Sequence, residues 1–201
     1  MRRVTVFDYG AGNLHSLAKA LHGDGTTVRL VTDPRAAVDT EVLVLPGVGA
    51  FSPAAGALAP GRSEMRAALL DGLPCLAICL GMQLLFEASA EGEGEGLGLF
   101  AGRVERLRAS RTPQIGWNAI DDATDPLFRA AGLESAYYAN SYVCRPLEEG
   151  VVTAWSTHEG DRFPAAVRRG NTVGVQFHPE KSSAPGLRFI RQLLECSPFQ
   201  P

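Results

Sequence analysis

The sequence has little of three things that would each indicate a particular class of protein: excess basic charge, long apolar runs and cysteine. Lysine and arginine together number 19 against 22 acidic residues, so the net charge of −3 gives no electrostatic basis for binding nucleic acid or an anionic membrane. No apolar run approaches the roughly 20 residues that span a bilayer. We therefore expect a soluble globular protein with neither nucleic acid nor a membrane among its partners.

The four cysteines are too few for the disulfide framework of a small secreted domain. The apolar residues that follow Arg3 end at Asp8, which is too soon for the core of a signal peptide. We therefore expect reduced thiols and a cytoplasmic location. Cys75 and Cys79 have a spacing that zinc sites can use, but no second pair of cysteines or histidines follows. We expect neither a metal nor another cofactor.

Strand and helix patterns alternate through the first 86 residues. Apolar segments predict strands over 4–7, 27–31, 41–45 and 75–78, and helical periodicity predicts helices over about 14–21, 62–70 and 80–86. This alternation predicts an α/β fold built on an open, mostly parallel sheet that is flanked by helices. In such folds the functional site lies at the C-terminal ends of the strands.

The pattern changes after an acidic, glycine-rich loop at 91–96, which we expect to be flexible. Short alternating segments predict strands over 103–108, 117–120, 136–143, 151–156, 165–168 and 172–177. Their spacing indicates antiparallel hairpins appended to the parallel half, followed by a last helix over about 185–195. Because no repeat or linker divides the chain, we expect a single domain over residues 1–201.

Cys79 is placed where a predicted strand stops and a predicted helix starts. This position aims the free N–H groups of the first helical turn at the side chain, which stabilises a nucleophilic thiolate. Gly81 permits the close backbone approach that a sharp strand-to-helix turn requires. The alternative is that Cys79 is simply a small buried hydrophobic residue, as most buried cysteines are.

A partner for this thiol follows the last predicted strand, at His178 and Glu180. In extended chain these two side chains point to the same side, and Pro179 between them favours that geometry. A carboxylate beside an imidazole orients the ring and leaves its other nitrogen to accept a proton from a thiol. The alternative is a strand-end histidine whose hydrogen bonding is satisfied by a nearby carboxylate.

Cys79, His178 and Glu180 together indicate an acyl-transfer site. The thiolate would attack a carbonyl to form a thioester that water then hydrolyses, and the oxyanion would be held by N–H groups of Leu80 and of the turn formed by Gly47, Val48 and Gly49. These residue types do not identify the acyl donor. A cysteine peptidase and a non-catalytic module that binds a partner through the same crevice both stay open at this point.

Several segments resemble class I glutamine amidotransferases of the triad type. The two shared across that class are 79–83 (Cys-Leu-Gly-Met-Gln) and 178–180 (His-Pro-Glu). Segments 8–14, 46–51, 113–118 and 174–182 are similar to those of the glutaminase subunits of imidazole glycerol phosphate synthase, and the similarity runs from about residue 4 to 195. The resemblance implies a flavodoxin-like fold of the amidotransferase type.

The resemblance also implies a reaction and a partner. L-glutamine would be hydrolysed to glutamate and ammonia. A (β/α)8-barrel cyclase, paired one to one with this chain, would use the ammonia to make imidazole glycerol phosphate and an aminoimidazole carboxamide ribotide in histidine biosynthesis.

The resemblance further implies a role for individual residues. Cys79 would be the nucleophile, His178 the base and Glu180 the orienting residue, with Gly49 and Leu80 at the oxyanion. The substrate-binding positions would be Gln83, Glu91, Ser141 and Tyr142, and the positions facing the cyclase Asn13 and Lys181. Lys181 could equally be an ordinary solvated lysine.

One position departs from the family pattern. Segment 138–142 carries Asn140 where the family usually has histidine. Asparagine donates and accepts hydrogen bonds but does not titrate near neutral pH, so the resemblance implies glutamine binding here without a titrating group. A glutaminase that serves a different synthase is a further alternative, to be decided by the subunit with which the chain pairs.

Overall fold

The computed structural model describes residues 1–10, 14–23 and 25–195, and a seven-stranded sheet forms its centre. Numbered in chain order, five neighbouring strands are parallel: β1 (Arg2–Phe7), β2 (Thr26–Val31), β3 (Val42–Leu45), β4 (Cys75–Ile78) and β12 (Thr172–Val175). Their spatial order is β2-β1-β3-β4-β12, the order of flavodoxin-like doubly wound sheets. β10 (Val152–His158) and β11 (Asp161–Arg169) extend the sheet antiparallel to β12. The predicted mixed, mostly parallel sheet is confirmed.

Helices cover both faces of this sheet. One face packs against α1 (His15–Leu21), α6 (Pro126–Ala131) and α7 (Ser183–Glu195), and the other against α2 (Pro34–Ala37), α3 (Phe51–Leu58), α4 (Arg62–Leu70) and α5 (Leu80–Leu84). Along β3, Val42 and Val44 enter the first core while Leu43 and Leu45 enter the second. Because both faces are buried, the strand is apolar at every position rather than at alternate ones.

Two smaller sheets carry the rest of the second half. One contains β5 (Ala88–Ser89), β6 (Gly102–Arg106) and β9 (Tyr142–Pro146), and the other pairs β7 (Gln114–Ala119) with β8 (Ser135–Asn140). The single strand predicted over 136–143 is therefore wrong. The chain leaves one sheet and enters another at Ser141, since Asn140 pairs with Gln114 and Tyr142 pairs with Arg106.

The sequence analysis did not predict three of the helices, because of their length or their composition. α2 and α6 are short, and each begins with proline behind an aspartate cap, Asp33 or Asp125. α3 contains both proline and glycine, which lower helical propensity. Within the residues listed above, no helix combines the length and apolarity needed to cross a bilayer. The single domain over 1–201 stays a prediction.

Candidate active site

Cys79 occupies a strained turn between β4 and α5. Its φ of 47° and ψ of −104° lie in a region that residues with a side chain rarely adopt, and its side chain is buried. The next turn of chain passes very close to β3, because a Cβ atom on Gly81 would lie 2.2 Å from the carbonyl oxygen of Leu45. Only glycine fits there, and this close approach holds the turn that presents Cys79.

His178 and Glu180 contact each other directly. The Nδ1 atom of His178 lies 2.8 Å from Oε1 of Glu180, and both side chains are buried. The sequence suggested that extended chain would place the two side chains on one side. Instead, β12 ends at Val175 and Glu180 lies in a 3₁₀ turn, Pro179–Lys181. It is this turn, and not an extended strand, that folds the carboxylate back onto the imidazole.

Strand β8 holds the histidine in place through main-chain contacts that the sequence did not reveal. The N–H of His178 donates to the carbonyl of Tyr137 at 2.8 Å. The Ser182 hydroxyl donates to the carbonyl of His178 at 2.7 Å and accepts from the N–H of Tyr137 at 2.9 Å. The N–H and the carbonyl of His178 are thus both held, the first directly by Tyr137 and the second by Ser182, which Tyr137 holds in turn.

The electrostatics around His178 favour a charged ring. Burial lowers its pKa, but hydrogen bonds to Cys79 and Glu180, together with the charges of both partners, outweigh this and raise the pKa from 6.5 to about 10. Burial raises the pKa of the Cys75 and Cys144 thiols, which disfavours the reactive thiolate form of both.

The turn after β3 lies against both Cys79 and His178. A Cβ atom on Gly47 would lie 3.0 Å from Cβ of Cys79 and 3.0 Å from Cε1 of His178. Gly49 has a φ of 112°, which glycine adopts without strain. Two segments from the C-terminal ends of neighbouring strands are thus brought together, as expected for one edge of a parallel sheet.

A cavity of about 210 Å³ lies beside Cys79. The predicted substrate and oxyanion residues that line it are Gly47, Gly49, Leu80, Gln83, Glu91, Ser141 and Tyr142, and Asn140 also lines it. Val48 instead lines a second cavity of about 170 Å³, on the other side of the same turn, together with Glu180 and Lys181. The first cavity therefore collects all but one of the residues expected around the substrate.

Two of these residues already have protein partners. Gln83 donates from Nε2 to the carbonyl of Tyr142 at 3.1 Å, and Glu91 accepts from the N–H of Phe51 at 3.0 Å. The acidic loop that begins at Glu91 is bound to α3 and α4, through a hydrogen bond between Ser52 and the Glu93 carbonyl and an ion pair between Arg62 and Glu95. These contacts oppose the flexibility expected of the loop.

One of the two expected partner-facing residues, Lys181, lies beside an exposed apolar surface. Asn13 lies outside the described residues, whereas Lys181 is exposed with Nζ 6.0 Å from the ring centroid of Tyr137. On β7, Ile115 is 67% exposed and Trp117 is 55% exposed. Trp117 pairs with Tyr137 and Ile115 with Ala139, so these side chains share one side of the β7–β8 ladder. We call this surface, formed by Ile115, Trp117, Tyr137, Ala139 and Lys181, the β7–β8 face.

Gln176 is a site residue that sequence reasoning missed. Its Nε2 atom lies 3.4 Å from Sγ of Cys79, and its side chain is fully buried. The sequence did contain one indication of its role, because Gln176 is a single amide between two apolar residues, Val175 and Phe177, in a buried segment. A buried amide of this kind requires hydrogen-bond partners.

The sequence matches the family model described as "Glutamine amidotransferase class-I" over residues 5–195. It is similar to proteins named "Imidazole glycerol phosphate synthase subunit HisH". That of Halobacterium salinarum is 42% identical, with 96% of this chain and 92% of the relative covered, and that of Leifsonia xyli is 42% identical, with 94% and 96% covered.

Solved structures show the same architecture. "Structure of PurLQS from Thermotoga maritima" superposes with a TM-score of 0.72 at 20% identity and covers 96% of this chain and 98% of that one. "Crystal structure of glutamine amidotransferase" superposes with a TM-score of 0.71 at 25% identity and covers 96% of this chain and 99% of that one.

Proposed function

This chain belongs to the class I glutamine amidotransferase family, as a HisH-type subunit of imidazole glycerol phosphate synthase in histidine biosynthesis, and we propose that it hydrolyses L-glutamine through a thioester on Cys79. The resemblance drawn from the sequence motifs is thereby confirmed. The observation that carries the proposed mechanism is that Cys79 and His178 meet at Gly47, where a Cβ atom would lie 3.0 Å from Cβ of Cys79 and 3.0 Å from Cε1 of His178. His178 is bound to Glu180, and Cys79 lines the first cavity.

The residues of this site can perform each step. The Cys79 thiolate attacks the carboxamide carbon, and N–H groups of Leu80 and of the Gly49 turn hold the oxyanion that forms. His178 gives its proton to the departing nitrogen, which leaves as ammonia, and then removes a proton from the water that hydrolyses the thioester. Glu180 holds Nδ1 of the ring, so that the other nitrogen faces the sulfur and the substrate.

The size of the cavity supports a small substrate. At about 210 Å³ it suits a single amino acid, with Gln83, Glu91, Ser141 and Tyr142 around it. A peptidase would instead require an extended groove for residues on both sides of the cleaved bond. We therefore favour free glutamine over a peptide as the acyl donor.

The β7–β8 face supports a partner subunit, which we propose is the (β/α)8-barrel cyclase in a one-to-one pair. Exposed large apolar side chains that lie together on one face are typical of an interface. Ala139 belongs to this face and also lines the cavity beside Cys79, so a bound partner would lie close to the site where ammonia forms. A cytoplasmic location belongs to the same proposal, because the mechanism requires a reduced thiol.

Glutamine-dependent glutamate release by the wild type and by Cys79→Ser tests the proposal. It is measured for the chain alone and with the cyclase and its nucleotide ligand. We expect activity mainly with partner and ligand, and a loss of about a thousandfold or more in the variant, because a serine hydroxyl is a far weaker nucleophile here. Cys75→Ala, which removes a buried thiol four residues earlier, is the matched control and keeps its activity.

Each other outcome has a distinct meaning. Activity that survives in Cys79→Ser would exclude this nucleophile, and activity that ignores this cyclase would indicate a different synthase. A chain that releases no glutamate under any condition would support the partner-binding module.

A further inference from the structure

Gln176 is held rigidly next to the nucleophile. It follows β12 directly, its N–H donates to the carbonyl of Ala165 at 2.9 Å, and its side chain is fully buried. From this anchored position the Nε2 atom reaches Sγ of Cys79 at 3.4 Å, a distance at which an N–H donates to sulfur. The reaction scheme above makes no use of this contact.

A second amide determines which end of Gln176 faces the sulfur. Nε2 of Gln83 lies 3.1 Å from the Tyr142 carbonyl and 3.5 Å from Oε1 of Gln176. A main-chain carbonyl can only accept, so Gln83 must present its NH₂ group to this side. Gln176 then presents its oxygen to Gln83, and its own NH₂ group is left for Cys79. Gln83, Gln176 and Cys79 form a chain of hydrogen bonds with one polarity.

Such a donor acts on the charge of the sulfur. Hydrogen bonds to an ionised, buried group are roughly twice as strong as those between neutral groups. Among the described residues, the titratable groups that interact with Cys79 are His178, on which Glu180 acts in turn, Tyr9 and Cys144. Burial, and then the charge of Cys79, raise the pKa of both Tyr9 and Cys144, so both groups are held in the neutral form. Gln176 therefore provides a second donor beside the imidazolium.

We propose that Gln176 is a positioning residue for the nucleophile, donating a hydrogen bond that orients and stabilises the Cys79 thiolate, and that Gln83 sets its polarity. The side chain does not line the cavity beside Cys79, so it acts through Cys79 and not on glutamine. The inference concerns the free enzyme and does not depend on the identity of the acyl donor.

Alkylation of Cys79 by iodoacetamide tests this without any substrate. The rate is followed at the peptide that contains Cys79 by mass spectrometry, between about pH 5 and pH 10, so that other cysteines do not contribute. The variants are Gln176→Met, which keeps length but has no donor, and Gln176→Glu, which keeps shape and replaces the NH₂ group. Thr172→Val is the matched control, since Thr172 is a fully buried polar residue on the same chain segment whose hydroxyl has no partner.

Loss of the donor has a signature that general damage does not produce. In Gln176→Met we expect the midpoint of the rate profile to rise by about one pH unit, which corresponds to a tenfold change. A more basic thiolate is also a better nucleophile, so alkylation becomes roughly threefold slower below the midpoint and at least as fast as the wild type above it. Gln176→Glu shifts the midpoint in the same direction, and Thr172→Val leaves the profile unchanged.

The outcomes separate this proposal from the glutaminase mechanism. An unchanged profile in both Gln176 variants, in protein that unfolds with a wild-type thermal transition, would overturn it, as would an equal shift in Thr172→Val. If Gln176→Met does not fold, Gln176→Leu, which also lacks a donor and adds no charge, decides. Glutamate release that fails while the profile shifts as expected would count against the proposed reaction and leave the role of Gln176 intact.

Discussion

At the scale of single residues, His178 links the site to the stability of the fold. Its pKa of about 10 in the native state lies above the ordinary value of 6.5. The bound proton therefore stabilises the native state fully below about pH 6.5, and this contribution is lost as the pH rises through about 10. The thiols of Cys75 and Cys144 act in the same direction, because burial raises the pKa of each.

The difference in unfolding free energy between the wild type and His178→Gln isolates the histidine, because the two buried thiols are common to both proteins. We expect this difference to fall by more than about 1 kcal/mol between pH 7 and pH 10. Urea unfolding at a series of pH values measures it. A difference that stays constant or grows over this range would contradict the raised pKa.

The residues of the proposed catalytic site could be named from the sequence, but the way they are held in the fold could not. Cys79, His178 and Glu180 lie in short motifs whose residue types define their chemistry. Gln176 and Ser182 act through contacts with residues that are 97 and 45 positions away, as in the bonds to Cys79 and Tyr137. No local pattern indicates such pairs, because they exist only once the strands have paired.

At the scale of secondary-structure elements, the turn between β4 and α5 depends on a missing side chain. A Cβ atom on Gly81 would lie 2.2 Å from the Leu45 oxygen, which is main chain and cannot move aside cheaply. Gly56 in α3 is exposed and a Cβ atom there meets nothing within 4 Å. Substitution by alanine should therefore have opposite effects on stability at the two glycines.

Gly81→Ala should destabilise the protein by about 2 kcal/mol or more, through the overlap with β3, while Gly56→Ala should stabilise it by up to about 1 kcal/mol. Denaturant titration of both variants measures the two changes. Equal effects in the two variants would show that α5 does not approach β3 as closely as the structure indicates.

Elements with uniform patterns could be predicted, whereas those set by pairing partners could not. β4 and α4 have the predicted bounds, Cys75–Ile78 and Arg62–Leu70, because apolar periodicity alone determines them. The break at Ser141 depends on which neighbour each half meets, Gln114 on one side and Arg106 on the other. The alternating pattern of the sequence continues through Ser141, so nothing in it indicates that the strand breaks there.

At the scale of the whole molecule, the β7–β8 face offers a test of the proposed assembly. Trp117→Glu places a charge in the middle of an apolar surface, and we expect it to weaken cyclase binding by tenfold or more and to lower partner-stimulated glutamate release accordingly. Glutamate release without partner should not change, since Trp117 lies outside the cavity. Calorimetric titration with the cyclase, alongside the activity assay, measures both quantities.

Leu147→Glu is the matched control, because Leu147 is a 79% exposed apolar residue at the end of another sheet. It should bind and respond to the cyclase as the wild type does. If both variants lose binding, or neither does, the β7–β8 face is not the docking surface.

The place of β12 between β4 and β11 has a consequence for the order in which the protein becomes active during synthesis. β12 pairs with β4, so that Thr172 meets Cys75 nearly a hundred residues after the ribosome has released that strand. Until then the nascent chain carries the proposed nucleophile without its proposed base. Under the proposed mechanism, activity begins only when the last strand has paired, so a prematurely terminated chain would consume no glutamine.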